Sequence, residues 1–283
     1  MRPVCFFHAG CPDGFGAAWA LWRAWGERGR YLPKGHSDAL DVASHRGAEV
    51  VFVDIAPDNE TLRGLSEVVE RLVVLDHHRS SRERYRSDPS LENLIEAGGH
   101  RVIFDLDHSG AVLAWNYFHP ETPAPELLLY VQDQDLWSWK LPRSEEVNAA
   151  IGSHRRDFEV WDELAERPVR ELAAEGAPLV RAARTELERA LHGAHPLRIG
   201  ERRIEAVNAP QQRSAIGHAL AKRAAYGLQW GAVYRLMGTR VDVSIYSVGE
   251  LDVSKVAAGY GGGGHRNAAG FSVSLAAWLR DFL

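Results

Sequence analysis

The sequence predicts an α/β protein of two domains joined by a helical segment. Three observations carry that prediction. The first half alternates short apolar runs with helix-period stretches, as a mainly parallel sheet flanked by helices requires. Those runs stop abruptly at acidic or imidazole residues. Strand-like runs then return near residue 196, behind a charged helical stretch.

Each element has its own signal. Val4 to Phe7 reads as a short apolar strand. Phe15 to Trp25 reads as a helix, with Ala17, Ala18, Leu21, Trp22 and Trp25 at helical spacing. Val50 to Val53 is a second strand, ending at Asp54. Asn59 to Arg71 carries Leu62, Leu65, Val68, Val69 and Leu72 on one helical stripe, and Leu72 to Leu75 is a third strand, ending at Asp76. Ser109 to Phe118 is helical, and Pro125 opens another helix in the position proline prefers. Residues 155 to 192 are helical and charged, with Pro168 and Pro178 each placed to begin a new helix. Strands follow at Leu197 to Ile204, Ala232 to Leu236 and Val241 to Tyr246, with a helix from Ser214 to Tyr226 between the first two. The last strand lies near Phe271 to Val273. The resulting organisation is a first domain over 1–150, a helical connector over 151–195 and a smaller α/β domain over 196–283.

Composition bounds the function. The chain has 283 residues, 45% hydrophobic and 25% charged, as ordinary soluble globular proteins do. A net charge of -5 argues against a strongly basic nucleic-acid surface. It leaves room for a nucleotide substrate, because bound divalent cations reverse the sign of an acidic pocket. Two cysteines, Cys5 and Cys11, fit a reducing compartment rather than a disulfide scaffold. The N-terminal apolar run is too short for a signal peptide, and no stretch approaches the ~20 apolar residues of a membrane span. The expectation is a cytoplasmic protein with no membrane partner.

Four places in the first half put carboxylates or imidazoles just beyond a strand or helix. They are His8 and Asp13 in His8-Ala9-Gly10-Cys11-Pro12-Asp13-Gly14, then Asp54, then Asp76-His77-His78, then Gln132-Asp133-Gln134-Asp135. In a parallel sheet the strand ends face one way, so these groups can converge. Carboxylate with imidazole is a usual ligand set for Mn²⁺, Zn²⁺ or Fe. Several carboxylates in one pocket repel each other unless cations sit among them. Taken singly, an aspartate at a strand end is a cap or turn residue; four coincident groups point to a site. Near the C-terminus, Gly261-Gly262-Gly263-Gly264-His265-Arg266-Asn267 pairs backbone that can approach a ligand closely with side-chain donors. Its natural ligand is a phosphate or a base edge, and its bland reading is a turn between strands.

Together these motifs resemble the DHH phosphoesterase superfamily with its associated DHHA1 domain. Asp76-His77-His78 resembles the motif that names the family, His8 to Gly14 its first motif, Asp54 its second and Asp133 its fourth. Gly261 to Gly270 resembles the glycine-rich motif of the second domain. The resemblance spans nearly the whole chain in the right order. It implies Mn²⁺-dependent hydrolysis of phosphodiester or phosphoanhydride bonds, with the site in the cleft between domains. It implies two metals, Mn²⁺ first, with Mg²⁺, Co²⁺, Zn²⁺ or Fe²⁺ as alternatives. One would be held by His8 and Asp54, the other by Asp13, Asp54, His77 and Asp133, with Asp54 bridging. Asp76 would orient a histidine, and His78 would contact the scissile phosphate. His265 and the N–H groups of Gly262, Gly263 and Gly264 would hold a substrate phosphate, with Arg266 and Asn267 beside them.

The sequence departs from the family pattern at Cys11, where an aspartate is usual. A thiolate suits Zn²⁺ or Fe²⁺ better than Mn²⁺; either Cys11 ligates, or the first metal position is weakened. The register after Leu129-Tyr130-Val131 favours Asp133 over Asp135 as the fourth-motif ligand. No long basic stripe offers the extended groove that a processive exonuclease needs. The expected reaction is therefore hydrolysis of short oligonucleotides or linear dinucleotides, such as pGpG or pApA, to nucleoside monophosphates by metal-bound hydroxide, in a chain that admits a homodimer. Asp135-Leu136-Trp137-Ser138-Trp139 either stacks on a base or packs a domain face. The alternatives are a pyrophosphate or polyphosphate hydrolase and a catalytically degraded nucleotide-binding regulator.

Overall fold

A computed structural model describes residues 2–35 and 38–283, the side chain of His265 excepted. The chain divides into two units, Met1–Val180 and Arg181–Leu283. The first is built on β1 (Val4–His8), α1 (Pro12–Trp25), β2 (Arg30–Lys34), β3 (Glu49–Val53), α2 (Asn59–Val68), β4 (Arg71–Asp76), α3 (Arg79–Arg86), α4 (Pro89–Ala97), β5 (Arg101–Phe104), α5 (Gly110–Phe118), α6 (Glu126–Asp135), α7 (Ser144–Ser153) and α8 (Phe158–Glu166). α9 (Val169–His192) follows.

The five strands form one parallel sheet in the order β2-β1-β3-β4-β5. Alternation along each strand sends Cys5, Phe7, Val51, Val53, Val73 and Leu75 to one face. Val4, Phe6, Val50, Phe52, Leu72 and Val74 go to the other. Both faces are covered, as the near-continuous apolar strands require. α1, α5 and α6 bury Ala17, Ala18, Leu21, Ala111, Ala114 and Leu128 on the first face. α2 and α4 bury Leu62, Leu65, Leu91 and Ile95 on the second, each side chain contributing about 1.5–3 kcal/mol. Asp58 caps α2 by accepting from the Thr61 N–H at 2.7 Å, worth about 1 kcal/mol.

This strand order reverses direction between β1 and β3. That reversal is the switch point at which open α/β sheets leave a crevice beyond the strand ends. His8 to Asp13 follow β1 and Asp54 follows β3, so the sheet itself brings these residues together.

The helix expected over 59–71 stops at Val68. Leu72 is needed in β4, where it pairs with Val50, and strand pairing overrides the helical stripe. Pro168 does precede a helix, but Pro178 lies inside α9, where the helix gives up one hydrogen bond and continues. Packing divides the expected connector: Trp161, Leu164, Leu172 and Ala173 join the first unit's core, whereas Leu187, Ala190, Leu191 and Ala194 pack against a core of the second.

The second unit contains β6 (His195–Ile199), β7 (Arg202–Asn208), α10 (Arg213–Arg223), β8 (Trp230–Met237), β9 (Arg240–Ser247), α11 (Val253–Ala258), β10 (Gly263–His265), β11 (Ala268–Ser274) and α12 (Leu275–Asp281). Its sheet runs β10-β11-β9-β8-β7-β6. Only β7 and β8 pair in parallel. The single strand expected over 197–204 is a hairpin, because Gly200 turns the chain with φ of 59°. α10 packs Ile216 and Leu220 on one face; α11 and α12 pack Val253, Ala257, Trp278 and Phe282 on the other.

Candidate metal centre

Asp54 is the residue around which the centre is organised. It ends β3 in the left-handed region, with φ of 57°, a conformation that aspartate tolerates better than most residues. Its N–H continues the ladder to the Leu75 carbonyl at 2.9 Å. Gly110, at the start of α5, presses against it. A Cβ at position 110 would stand 2.9 Å from both Cα and Cγ of Asp54, and closer still to its Cβ. Glycine is therefore what lets the α5 N-terminus reach the strand end.

The two oxygens of Asp54 face different groups. Oδ2 lies 3.3 Å from Cys11 Sγ and 3.4 Å from His8 Nδ1. Cys11 Sγ and His8 Nδ1 are themselves 3.4 Å apart. Oδ1 lies 3.1 Å from His77 Nε2. That same nitrogen is 3.7 Å from Asp13 Oδ2 and 3.4 Å from Asp135 Oδ2. Two donor sets result, His8–Cys11–Asp54 and Asp13–His77–Asp135, with Asp54 touching both. Asp54 with His77 and His78 forms a third such group.

The surroundings hold these ligands in place. Asp13 is buried in the first turn of α1, and its carboxylate accepts from the Gly110 and Ala111 N–H groups at 2.7 and 3.0 Å. The positive end of α5 thus orients it. Cys11 caps α1, its sulfur accepting from the Gly14 N–H at 3.2 Å. Asp76 is fully buried at the end of β4. Its Oδ1 accepts from the His77 and His78 N–H groups at 2.8 and 3.3 Å and lies 2.7 Å from His78 Nδ1. This carboxylate fixes the turn and the His78 ring together.

The electrostatics are those of an acidic cluster gathered round one imidazole. Burial, with the charges of Asp54 and Asp135, pushes Asp13 well above the usual carboxylate range. Burial and the Asp54 charge also raise Asp135, against the pull of His77. Burial opposes the Asp54 charge, but hydrogen bonds from His77 and His8 outweigh it and hold that carboxyl far below its ordinary value. Burial disfavours charged His77, yet the surrounding aspartates raise its pKa to about 9. Burial and the Asp54 charge push the Cys11 thiol up. Three carboxylates converging on one imidazole proton form the environment that a divalent cation suits better than a proton does. The two sets differ in hardness. Asp13, Asp135 and His77 offer oxygen and nitrogen; the other set includes a sulfur.

The expected residues separate under this geometry. His8, Cys11, Asp13, Asp54 and His77 come together, with Asp76 and His78 beside them. Asp133 does not join them. Its Oδ1 and Oδ2 accept from the Lys140 and Leu141 N–H groups at 2.9 and 3.2 Å, so it ties down the chain after α6. Asp135, two residues on at the end of the helix, takes the position by His77. The register after Leu129-Tyr130-Val131 that favoured Asp133 does not decide the position, because α6 continues through Asp135.

In the second unit, Gly263 and Gly264 belong to edge strand β10, and side chains at 262 or 264 would collide with β11 backbone. Hairpin packing alone therefore demands Gly262 and Gly264. Arg266 pairs with Glu250 at 2.7 Å. Asn267 donates to the Ser247 carbonyl at 3.2 Å. The side chain of His265, expected to hold a phosphate, lies outside the described residues.

Two half-hidden cations of the first unit carried no sequence signal. Lys34 pairs in register with His8 across β1 and β2, is buried, and donates to the Asp38 carbonyl. Arg84 donates to the Ala56 and Pro57 carbonyls at 3.2 and 2.9 Å, and its Nε is buried without a partner. Both line a cavity of about 290 Å³ with Ile55, Pro57, Asp38 and Asp58. A larger hollow of about 740 Å³, lined by Trp230, Asp252, Lys255 and Tyr260, lies in the second unit and borders none of the metal-centre residues. Among the described residues, no helix is long and apolar enough to cross a membrane.

No protein-family model matches the sequence. An uncharacterised protein of Acanthamoeba polyphaga mimivirus is 26% identical over 294 residues, which cover 96% of this chain and 67% of that protein. Among solved structures, the pGpG-specific phosphodiesterase PggH of Vibrio cholerae is similar over 99% of this chain and 95% of its own, with 11% identity and a TM-score of 0.49. An exopolyphosphatase-related protein of Bacteroides fragilis is similar over 95% of this chain and 86% of its own, with 12% identity and a TM-score of 0.46. Likeness at this distance fixes no substrate.

Proposed function

We propose that this chain is a phosphoesterase of the DHH/DHHA1 type, hydrolysing short oligonucleotides or linear dinucleotides such as pGpG or pApA to nucleoside monophosphates. The observation that carries the reading is Asp54, whose two oxygens face two separate donor sets. A residue so placed can bridge two divalent cations. Mn²⁺ is the proposed pair; the Cys11 sulfur suits a softer ion such as Zn²⁺ or Fe²⁺ at the first position. When bound, such ions polarise a phosphoryl oxygen and make water more acidic.

The chain's own groups have distinct proposed tasks. Asp54 would contribute to both ion positions, with Asp13, Asp135 and His77 holding one and His8 and Cys11 the other. Asp76 keeps a proton on Nδ1 of His78 through their 2.7 Å contact. Burial disfavours charged His78, but Asp76 raises its pKa above the ordinary value. A cationic His78 suits contact with an anionic phosphate and stabilises the charge that builds on it during hydrolysis. The glycine-rich hairpin of the second unit is the proposed holder of a further substrate phosphate. A cytoplasmic setting and a homodimer belong to the same proposal.

The test is metal content of the purified protein, together with turnover of pGpG under added Mn²⁺. Two ions per chain and release of GMP support the reading. Asp54→Asn keeps a residue that tolerates the left-handed backbone but removes the bridging charge; retained turnover in that variant refutes the dinuclear assignment. Phosphoanhydride hydrolysis is the alternative reading. Turnover of pyrophosphate or polyphosphate with none of pGpG would establish it. Tight nucleotide binding without metal would instead indicate a regulator.

A further inference from the structure

Seven of the nine tryptophans pack into or against the cores. The other two, Trp137 and Trp139, are 55% and 36% exposed. They follow directly on Asp135, the ligand candidate at the end of α6. Both have left-handed backbones, with φ of 55° and 51°. At Trp137 it is the left-handed end of α6, where the Trp137 and Ser138 N–H groups close on the Gln134 and Asp133 carbonyls at 3.0 and 2.9 Å; at Trp139, beyond that cap, it is an outlier for so bulky a residue. Such strain collects at functional sites, where surrounding structure must hold it.

Here the holder is Asp133. Its carbonyl accepts from the Ser138 and Trp139 N–H groups at 2.9 and 3.3 Å, and its carboxylate from the next two. Four successive N–H groups are thus fastened to one residue. The indoles sit 5.2 Å apart, edge to face at 79°. Two tethered indoles two and four residues beyond Asp135 thus leave much of their ring surface open to solvent.

We propose that Trp137 and Trp139 form a stacking platform for a nucleobase attached to the phosphate at the metal centre, making the segment a specificity determinant for base-bearing substrates. The proposal rests on the phosphoesterase reading of that centre. Each base has a π-face, so stacking tolerates sequence while rejecting a bare phosphate chain. A second copy of the chain is the competing occupant of so exposed an aromatic pair.

The test is calorimetric titration of AMP, GMP, CMP, UMP and ribose 5-phosphate into Mn²⁺-loaded full-length protein, comparing wild type with Trp137→Asn and Trp139→Asn. Wild type is expected to bind the nucleotides about 10- to 100-fold more tightly than ribose 5-phosphate, the factor one stacked base supplies. The variants are expected to bring that ratio close to one while their melting temperatures stay level or rise, because asparagine accepts a positive φ more readily than tryptophan. A tether needed only for folding would instead lower the melting temperature. Equal wild-type affinity for nucleotides and ribose 5-phosphate overturns the platform. So do variants that keep the preference, or a preference lost only together with dimerisation. The two readings fail separately: absent pGpG turnover ends the phosphodiesterase reading, whereas turnover without base preference ends the platform alone.

Discussion

Replacing Gly110 with alanine is expected to disable the metal centre more than it harms the fold. The new Cβ would lie 2.9 Å from Asp54 Cα and Cγ. Ordinary van der Waals contact begins near 3.4 Å, and the Cβ–Cβ contact is tighter than these two, so the groups must separate by about 1 Å. Neither side yields easily. Asp54 is held by its bond to the Leu75 carbonyl and by His77, and the α5 N-terminus is held by the Asp13 carboxylate. Overpacking of this kind costs about 1–3 kcal/mol of stability. Because Asp54 touches both donor sets, the same displacement would misplace both proposed ions, and a shift approaching 1 Å is worth about 10²-fold in rate. The assay compares melting temperature, bound Mn²⁺ and pGpG turnover with those of Gly231→Ala. That control drives a Cβ equally hard into Leu220 Cβ, within the second unit. Both variants should lose similar stability, and Gly110→Ala alone should lose metal and about 100-fold in turnover. Wild-type metal content and turnover within threefold of wild type in Gly110→Ala would refute the argument that this contact positions Asp54.

Other changes should separate ligands from supports. Asp135→Asn should lower Mn²⁺ affinity and turnover with little change in stability. Asp133→Asn should weaken two backbone hydrogen bonds and cost about 1–3 kcal/mol, read by chemical denaturation. Cys11→Asp replaces sulfur with oxygen and should shift competition binding from Zn²⁺ towards Mn²⁺; an unchanged preference would mean that Cys11 only caps α1. In metal-free protein, the pKa of His77 is raised from 6.5 to about 9. Its stabilising contribution is therefore complete below about pH 6.5 and lost as pH rises through about 9. Metal must displace that proton, so Mn²⁺ affinity should climb by at least about tenfold per pH unit up to about pH 9. A pH-independent affinity would exclude His77 as a ligand.

The parts of the fold visible in the sequence were those with strong periodicity. β1, β3 and β4 are near-continuous apolar runs because both sheet faces are covered. β2 was missed: it carries Pro33 and two basic residues, which an edge strand tolerates and a central one does not. β5 was missed because only four residues form it, at the other edge. Most centre residues were legible because strand-end position alone converges them at the switch point. Asp135 was harder. Choosing between two aspartates two residues apart depends on where α6 ends and what its carboxylates cap, which is set by the chain that follows. Gly110 and Lys34 gave no warning, since their importance lies in close approach across the sheet rather than in any local pattern.

The tether at Asp133 bears on how this region can change over evolutionary time. Its carbonyl and carboxylate reach residues 138 to 141, so the intervening segment is a closed loop of fixed length. Side chains within it other than Asp135 can be exchanged, altering what the exposed surface favours. Inserting or deleting one residue would instead shift every fastened N–H out of reach and turn Asp135 relative to His77. Divergence here is therefore open to substitution and closed to changes in length.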